Sequence, residues 1–227
     1  MRPHNEDRLV DRPELGLWAV ADGAGGHAAG EFASAAIADA LEAMPAGLGA
    51  SEMLAQVRLR IGEVHADLLA EAARRGPTTV IASTIVVLVA RGDFFACLWA
   101  GDSRAYLLRD GTMRQISRDH SLVQELVDSG ALRDEDREGH PHANVITRAV
   151  GADGEAFELD KLSGGLAAGD RFLLCSDGLC KTLPDAEIAT LLAAPAGVSI
   201  TEVMVAAALA RAVSDNVTAL AILVEAV

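Results

Sequence analysis

The sequence predicts an α+β protein in which antiparallel sheets pack together beneath helices, and three observations carry that prediction. Two alanine-rich segments with helical spacing come first. A long series of β-branched and aromatic runs follows without regular strand–helix alternation, and two more helical segments come near the end. Regular alternation would have meant a parallel, doubly wound sheet instead. One sizeable core is expected from 227 residues, and no internal repeat is evident.

Residues 1–8 (MRPHNEDR) read as a polar N-terminal arm. The apolar run at 15–21 reads as a strand that stops at Asp22, passes through Gly23, Gly25 and Gly26, and restarts as a helix near Gly30 or Glu31. Residues 31–44 carry the stripe Ile37, Leu41 and Met44; residues 51–75 carry Leu54, Val57, Ile61, Val64 and Leu68. Pro45, Gly47 and Gly49 separate the two helices. Strand-like runs at 79–90 and 93–100 flank Arg91-Gly92, and runs at 105–108 and 113–116 flank Asp110-Gly111, so two hairpins are expected. Residues 119–144 turn polar and short-helical (122–129, then 134–138) and end in His140-Pro141-His142, which reads as an inserted surface lobe. Apolar character resumes at 145–150. Residues 171–176 read as a strand, 184–192 and 201–213 as helices, and 217–224 as a final strand.

Composition narrows the function. A formal charge of −14 argues against nucleic acid or an anionic membrane as partner and suits a protein that gathers divalent cations. No run of 18 apolar residues and no secretion-type N-terminus is visible. Cys97, Cys175 and Cys180, odd in number and set in apolar runs, read as buried thiols of a reducing cytosol.

Two chemistries compete for the glycine turn. Gly23-Ala24-Gly25-Gly26-His27-Ala28 fits the dinucleotide fingerprint G-x-G-x-x-G/A between a strand and a helix. Asp22 would then face an anionic pyrophosphate, and no strand ending in an acid follows at the required distance of about 20 residues. The other reading is a metal-binding aspartate turn. Three apolar strands end on an aspartate with a small neighbour, at Asp22-Gly23, Asp102-Ser103 and Asp177-Gly178, and Asp215-Asn216 opens the last strand. Asp110-Gly111 and Asp153-Gly154 lie among polar residues and read as plain turns. Acids clustered at the rim of a core repel one another, and hard divalent cations are the simplest compensation. The spacing of zinc sites is absent; His27 and Glu31 alone are too few. Two such ions about 4 Å apart can bridge a water and stabilise an in-line displacement. Arg2 adds a planar fork for a phosphate. Metal-dependent hydrolysis of a phosphoester is the resulting expectation.

Eight motifs in order then make the chain recognisable: RPHNED (2–7), VADGAGGHAAGEFAS (20–34), AST (82–84), AGDSRAY (100–106), RDHS (118–121), NVITRAVG (144–151), CSDGL (175–179) and SDNVT (214–218). Together they resemble the bacterial branch of the type 2C, metal-dependent serine/threonine protein phosphatases, over essentially the whole chain. The resemblance implies one phosphatase domain over 1–227, a four-layer αββα sandwich of two antiparallel sheets flanked by helix pairs, with 119–144 as a flap lobe. It implies Mn2+ or Mg2+ as cofactor, in two core sites and a third, weaker one. Asp22 would bridge the core ions, Asp177 and Asp215 would complete the first, and the Gly23 carbonyl would hold the second with Glu6 near it and Asp7 behind. Asp102, Asp177 and Asn144 would hold the third ion. Arg2 would bind the phosphate, and Arg2, Asp22 and Asp177 would be catalytic. Phosphoserine and phosphothreonine in proteins would be attacked by metal-activated water without a covalent enzyme intermediate, reversing a bacterial kinase.

The chain departs from the family pattern at four places. Residue 24 is alanine where some members carry a histidine proposed as general acid, which leaves a metal water or His27 to protonate the leaving group. The family's opening strand before the arginine is not part of the sequence. The Gly-Thr-Thr motif reads Ala82-Ser83-Thr84. His120, His140 and His142 lie in or beside the lobe and read as exposed polar residues. The lobe and its flanks are similar to stand-alone bacterial members paired with a membrane kinase, some of which accompany type VI secretion clusters. A cytoplasmic monomer acting on a cognate kinase and its substrates is expected; a catalytically weak module that binds a phosphoprotein is the alternative.

Overall fold

The computed structural model describes residues 4–25, 28–137, 139–152, 157–195 and 199–225. In place of a polar arm, the described chain begins by feeding strand β1 (Asp7–Arg12), which pairs antiparallel with β2 (Leu17–Ala24) across a single 3-10 turn at Pro13–Leu15. Four of the six residues of β1 are charged, which hides the strand from a hydrophobicity argument. An edge strand needs only one buried face, and here Val10 is buried while Leu9 is exposed. β2 also runs on past its apolar stretch: Asp22 and Gly23 are inside the strand, held by pairing with Asp7 on one side and Ser83 on the other.

Helices α1 (Ala28–Glu42) and α2 (Ala50–Arg75) follow, with Ile37 and Leu41 on the first and Met53, Val57, Ile61, Val64 and Leu68 on the second all buried. Glu52 accepts a hydrogen bond from the Gly49 amide at 2.8 Å, closing the start of α2. The next strands are β3 (Ala82–Ser83), β4 (Ile85–Arg91), β5 (Phe94–Ala100), β6 (Arg104–Arg109) and β7 (Thr112–Gln115). Both hairpins expected from the sequence are present. Asp110 and Gly111 have φ of 51° and 74°, the positive pair that a twisted two-residue turn requires.

The lobe contains α3 (Leu122–Asp128), capped by Ser121, and a 3-10 turn at Asp134–Asp136. The apolar stretch after it, 145–150, forms no strand and is tied down by isolated bridges, Ser121 to Ile146 and Ser83 to Val150. Strand β8 (Asp160–Gly165) was not legible, because its sequence DKLSGG is polar and small; pairing of all its residues with Phe94 to Trp99 of β5 holds it extended. The remainder is β9 (Arg171–Cys175), α4 (Asp177–Cys180), α5 (Asp185–Leu192), α6 (Ile200–Ala210) and β10 (Ala219–Leu223).

Two antiparallel sheets result. One has the order β1-β2-β4-β5-β8 with β3 beside β2, and the other runs β10-β9-β6-β7. The two-residue period of the strands sorts apolar side chains into three layers. Val20, Val86, Leu88, Phe95, Cys97 and Trp99 face Ala105, Leu107, Phe172 and Leu174 between the sheets. Ala19, Ile85, Val87, Val89 and Leu98 point the other way, onto α1 and α2. Tyr106, Leu108, Leu173 and Cys175 face α4, α5 and α6. The fold is therefore α+β, a four-layer αββα sandwich.

A buried carboxylate ties together the ends of β6 and β9, the two inner strands of the second sheet. Asp170, 1% exposed, receives Arg109 Nε and Nη2 at 2.6 and 2.5 Å and the Ala167 amide at 2.8 Å. The Arg109 bonds hold its pKa below the ordinary carboxylate range. A lowered pKa stabilises the fold above the ordinary value of about 4 and is lost as pH falls through the folded-state value. Asp170→Asn is expected to lower unfolding free energy by about 1–3 kcal/mol at pH 7, with the difference from wild type shrinking below about pH 4. Denaturant titration of both proteins across pH checks this.

Candidate metal centre

The acidic residues picked out along the sequence come together where the two sheets end. Asp7 and Asp22 are register partners on β1 and β2, so they lie side by side. Asp177 is the first residue of α4, directly after β9; Asp102 lies in the turn between β5 and β6; Asp215 precedes β10. A cleft of about 1070 Å³ is lined by Glu6, Asp22, Gly23, Asp102, Asn144, Asp177 and Asp215 among others. Asp7 is buried behind them. Arg2 and His27 lie outside the described residues.

Missing side chains make this convergence possible. A Cβ on Gly23 would come within 2.1 Å of the Gly30 carbonyl oxygen, so the start of α1 can rest on the end of β2 only because both residues are glycine. A Cβ on Gly178 would come within 1.9 Å of the Asn216 carbonyl oxygen. That contact presses the first turn of α4 against the segment carrying Asp215, and so brings Asp177 beside it.

Hydroxyl groups then fix the backbone and carboxylates. Asp7 Oδ2 accepts hydrogen bonds from Ser176 Oγ at 2.8 Å and Thr218 Oγ1 at 2.7 Å, linking the first sheet to the last two strands of the second. The Asp22 amide donates to Thr84 Oγ1 at 3.2 Å, which shares a 2.7 Å bond with Ser103 Oγ, while Ser83 Oγ donates to the Asp22 carbonyl at 3.0 Å. Ser83 and Thr84 are thus structural supports for Asp22. Asn216 Oδ1 accepts from the Glu6 amide at 3.0 Å, and the Glu6 carbonyl accepts from the Gly23 amide at 3.1 Å.

Electrostatically the cluster is unfavourable by itself. Burial raises the Asp22 pKa well above the carboxylate range, and Asp7, Asp177, Asp102 and Asp215 add repulsion. Asp7 is also raised, by burial first, against the lowering effect of its Thr218 and Ser176 bonds. Burial and Asp177 raise Asp102, and Lys181 partly counters them. Asp7 Oδ1, Asp102 Oδ1 and Asp177 Oδ1 are buried with no hydrogen-bond partner among the described residues. Among those residues no three acidic, histidine or cysteine side chains already close on one point as a cage. The donor set is nevertheless the one a hard cation takes: carboxylate oxygens, a nearby backbone carbonyl and room for water. Buried carboxylate oxygens without a hydrogen-bond partner and a shared negative field fit a divalent cation such as Mn2+ or Mg2+.

Three features were missed in the sequence. Lys181 Nζ reaches Asp177 Oδ2, Asp102 Oδ2 and Asn144 Oδ1 at 2.7, 3.0 and 3.1 Å; only its position four residues after Asp177 hinted at this. Burial disfavours its charged form, but Asp102 and Asp177 outweigh that and raise its pKa above the ordinary lysine value. Asp119 is buried between Arg104 and Arg137, both of which line the cleft. His120 is half-buried rather than an exposed loop residue: its Nδ1 accepts from the Gly101 amide at 3.1 Å and its Nε2 lies 3.2 Å from Asp160. His140 and His142 pack against each other in the lobe.

Comparison with known proteins gives a consistent picture. The family model described as protein phosphatase 2C matches residues 4–215. A serine/threonine phosphatase stp from Listeria welshimeri serovar 6b is 33% identical over 228 residues, covering 97% of this chain and 90% of its own. The structure described as PppA, a key regulatory component of T6SS in Pseudomonas aeruginosa, is 45% identical, with a TM-score of 0.89 and coverage of 97% and 91%. The catalytic domain of the serine/threonine phosphatase PstP in complex with two manganese ions is 32% identical, with a TM-score of 0.87 and coverage of 99% and 94%.

A raised carboxylate pKa costs stability as pH climbs from the unfolded value toward the folded one, so the metal-free protein should weaken above about pH 4 at this site. Asp22→Asn is expected to remove much of that slope and to raise the metal-free Tm at pH 7.5 by roughly 2–4 °C for each kcal/mol relieved. It should also abolish stabilisation by Mn2+, which at 100 times its Kd gives wild type about 2.7 kcal/mol. Thermal melts with and without Mn2+ test both effects.

Proposed function

This chain belongs to the protein phosphatase 2C family and is a serine/threonine protein phosphatase, and on that premise we propose that it removes phosphate from phosphoserine and phosphothreonine in proteins at two Mn2+ or Mg2+ ions. Asp22 would be the shared ligand, Asp177 and Asp215 would complete one site, and the Gly23 carbonyl and Glu6 would serve the other, with Asp7 behind them. The observation that carries this reading is the convergence of the acids on Asp22 at one cleft, with a buried carboxylate oxygen on Asp177 that no other described group satisfies. The two manganese ions named for the PstP catalytic domain support it.

Divalent ions held there lower the pKa of a water and neutralise charge on a phosphoryl group. The chain's own residues do the rest. Ser176, Thr218, Thr84 and Ser103 hold the acids and their backbone in place before substrate arrives, so little reorganisation is left for the reaction. Arg2, four residues before Glu6, supplies a bidentate fork for the phosphate. Ala24 has no proton to give, so the leaving alkoxide is protonated by water or by His27.

The chain is read as one phosphatase domain over 1–227, with 119–144 as an inserted flap lobe, and the cleft lining by Asp119, Ser121, Arg137 and Asn144 supports that reading. The substrates are products of a serine/threonine kinase, the class of reaction that must precede this one. The free state of Cys97, Cys175 and Cys180 supports a reducing compartment such as the cytoplasm. The likeness to PppA favours a role in regulating a T6SS.

Phosphate release from a phosphothreonine peptide is expected with Mn2+ and not with excess chelator. Asp177→Asn should lower kcat/KM by more than ~100-fold, beyond the loss typical of groups that only support a ligand. Turnover in 18O-labelled water should place one label in the released phosphate with no phosphoenzyme trapped. Undiminished turnover in chelator would refute the metal reading.

A further inference from the structure

Lys181 follows α4, and its backbone amide donates to the Asp177 carbonyl at 2.8 Å, which sets its side chain over that carboxylate. An ammonium group has three N–H donors and no acceptor. Here all three are spent, on Asp177 Oδ2, Asp102 Oδ2 and Asn144 Oδ1. Each of these partners is an oxygen of the kind a hard cation takes, and they come from three separate parts of the chain. They are also the three side chains from which a third, weaker ion was expected.

We propose that the Lys181 ammonium takes the place of the third divalent cation, so that the chain binds two ions and supplies the remaining positive charge itself. The inference rests on the two-ion reading of the Asp22 centre. Its physical basis is mutual exclusion. A Mg2+ ion bound to Asp102 Oδ2 and Asp177 Oδ2 would sit about 2.0–2.1 Å from each, within the space already filled by a nitrogen 3.0 and 2.7 Å from the same atoms. Two cations cannot share those oxygens in a cleft wall where Asp102 is only 4% exposed at its side chain. Without the lysine, Asp102 would be a buried, uncompensated carboxylate, which is costly unless another cation arrives. The Oδ1 atoms of Asp102 and Asp177 remain without a hydrogen-bond partner, and that of Asp177 is the one left for the core ion that it would share with Asp215.

The lysine also does mechanical work. Asn144 ends the lobe, whereas Asp102 and Asp177 belong to strand ends of different sheets. One ammonium therefore ties the lobe's exit to both halves of the sandwich.

Titration with Mn2+, with free Mn2+ counted by electron paramagnetic resonance, decides the matter. Lys181→Met keeps the length of the side chain and removes its charge and donors; it is expected to bind one Mn2+ more than wild type. The extra ion should vanish when Asp102→Asn is added to Lys181→Met. Lys181→Gln, should the methionine variant fail to fold, is expected to behave in the same way. Equal stoichiometry in wild type and variant overturns the inference, as does an extra ion that survives Asp102→Asn. Failure of the two-ion reading looks different: wild type would bind no Mn2+ and release no phosphate, whatever the variant gains.

Discussion

Mutual repulsion among carboxylates at the seam of two sheets is the constraint around which this molecule is built. Asp7 and Asp22 come from one sheet, Asp177 and Asp215 from segments bordering the other, and Asp102 from the turn that passes between them. Nothing in the apolar layers requires five acids to meet, and in the absence of cations the meeting opposes folding. The sandwich supplies the force that holds them together. Its three apolar layers fix where each strand ends, and the acids occupy those ends. A fold of this kind stores at one edge an electrostatic cost that bound cations relieve.

The supports around the acids share a logic of small size. Gly23, Gly30 and Gly178 let backbone approach backbone closely enough that neighbouring acids are carried into one cleft. Serine and threonine hydroxyls then take the oxygens and amides that water would otherwise satisfy. Because Asp7 is held by Ser176 and Thr218 together, the two sheets cannot slide at this end without leaving a buried carboxylate unpartnered. The lobe is anchored as well, through Asp119 on Arg104 and through the bridge from Ser121 to Ile146.

Much of this was legible in the sequence because it depends on periodicity. The stripes Ile37/Leu41 and Val57/Ile61/Val64/Leu68 are buried helix faces, and the runs on either side of Arg91-Gly92 and Asp110-Gly111 are hairpins. Aspartates that end apolar strands marked the cleft, since a strand that is buried almost throughout delivers its last residue to the rim of a core. What escaped notice had weak local signals. Strand β1 is charged at four of six positions and β8 is polar and glycine-ended; long-range pairing with β2 and β5, not their own composition, makes them strands. Asp22 was expected just past its strand, but pairing with Asp7 and the Ser83 segment continues the ladder through it. Lys181 carried no signal in the sequence beyond its place four residues after Asp177, since its partners Asp102 and Asn144 are far away in sequence.

The tie made by Lys181 has a consequence for how the protein meets changing surroundings. A dissociable ion occupies its place according to supply, and falls away when the free concentration drops below its Kd. A side chain joined to the backbone has no such dependence; its local concentration is set by four methylene groups. With Lys181 in the place of an ion, the tie between the exit of the lobe and the two sheets would not depend on the supply of magnesium or manganese.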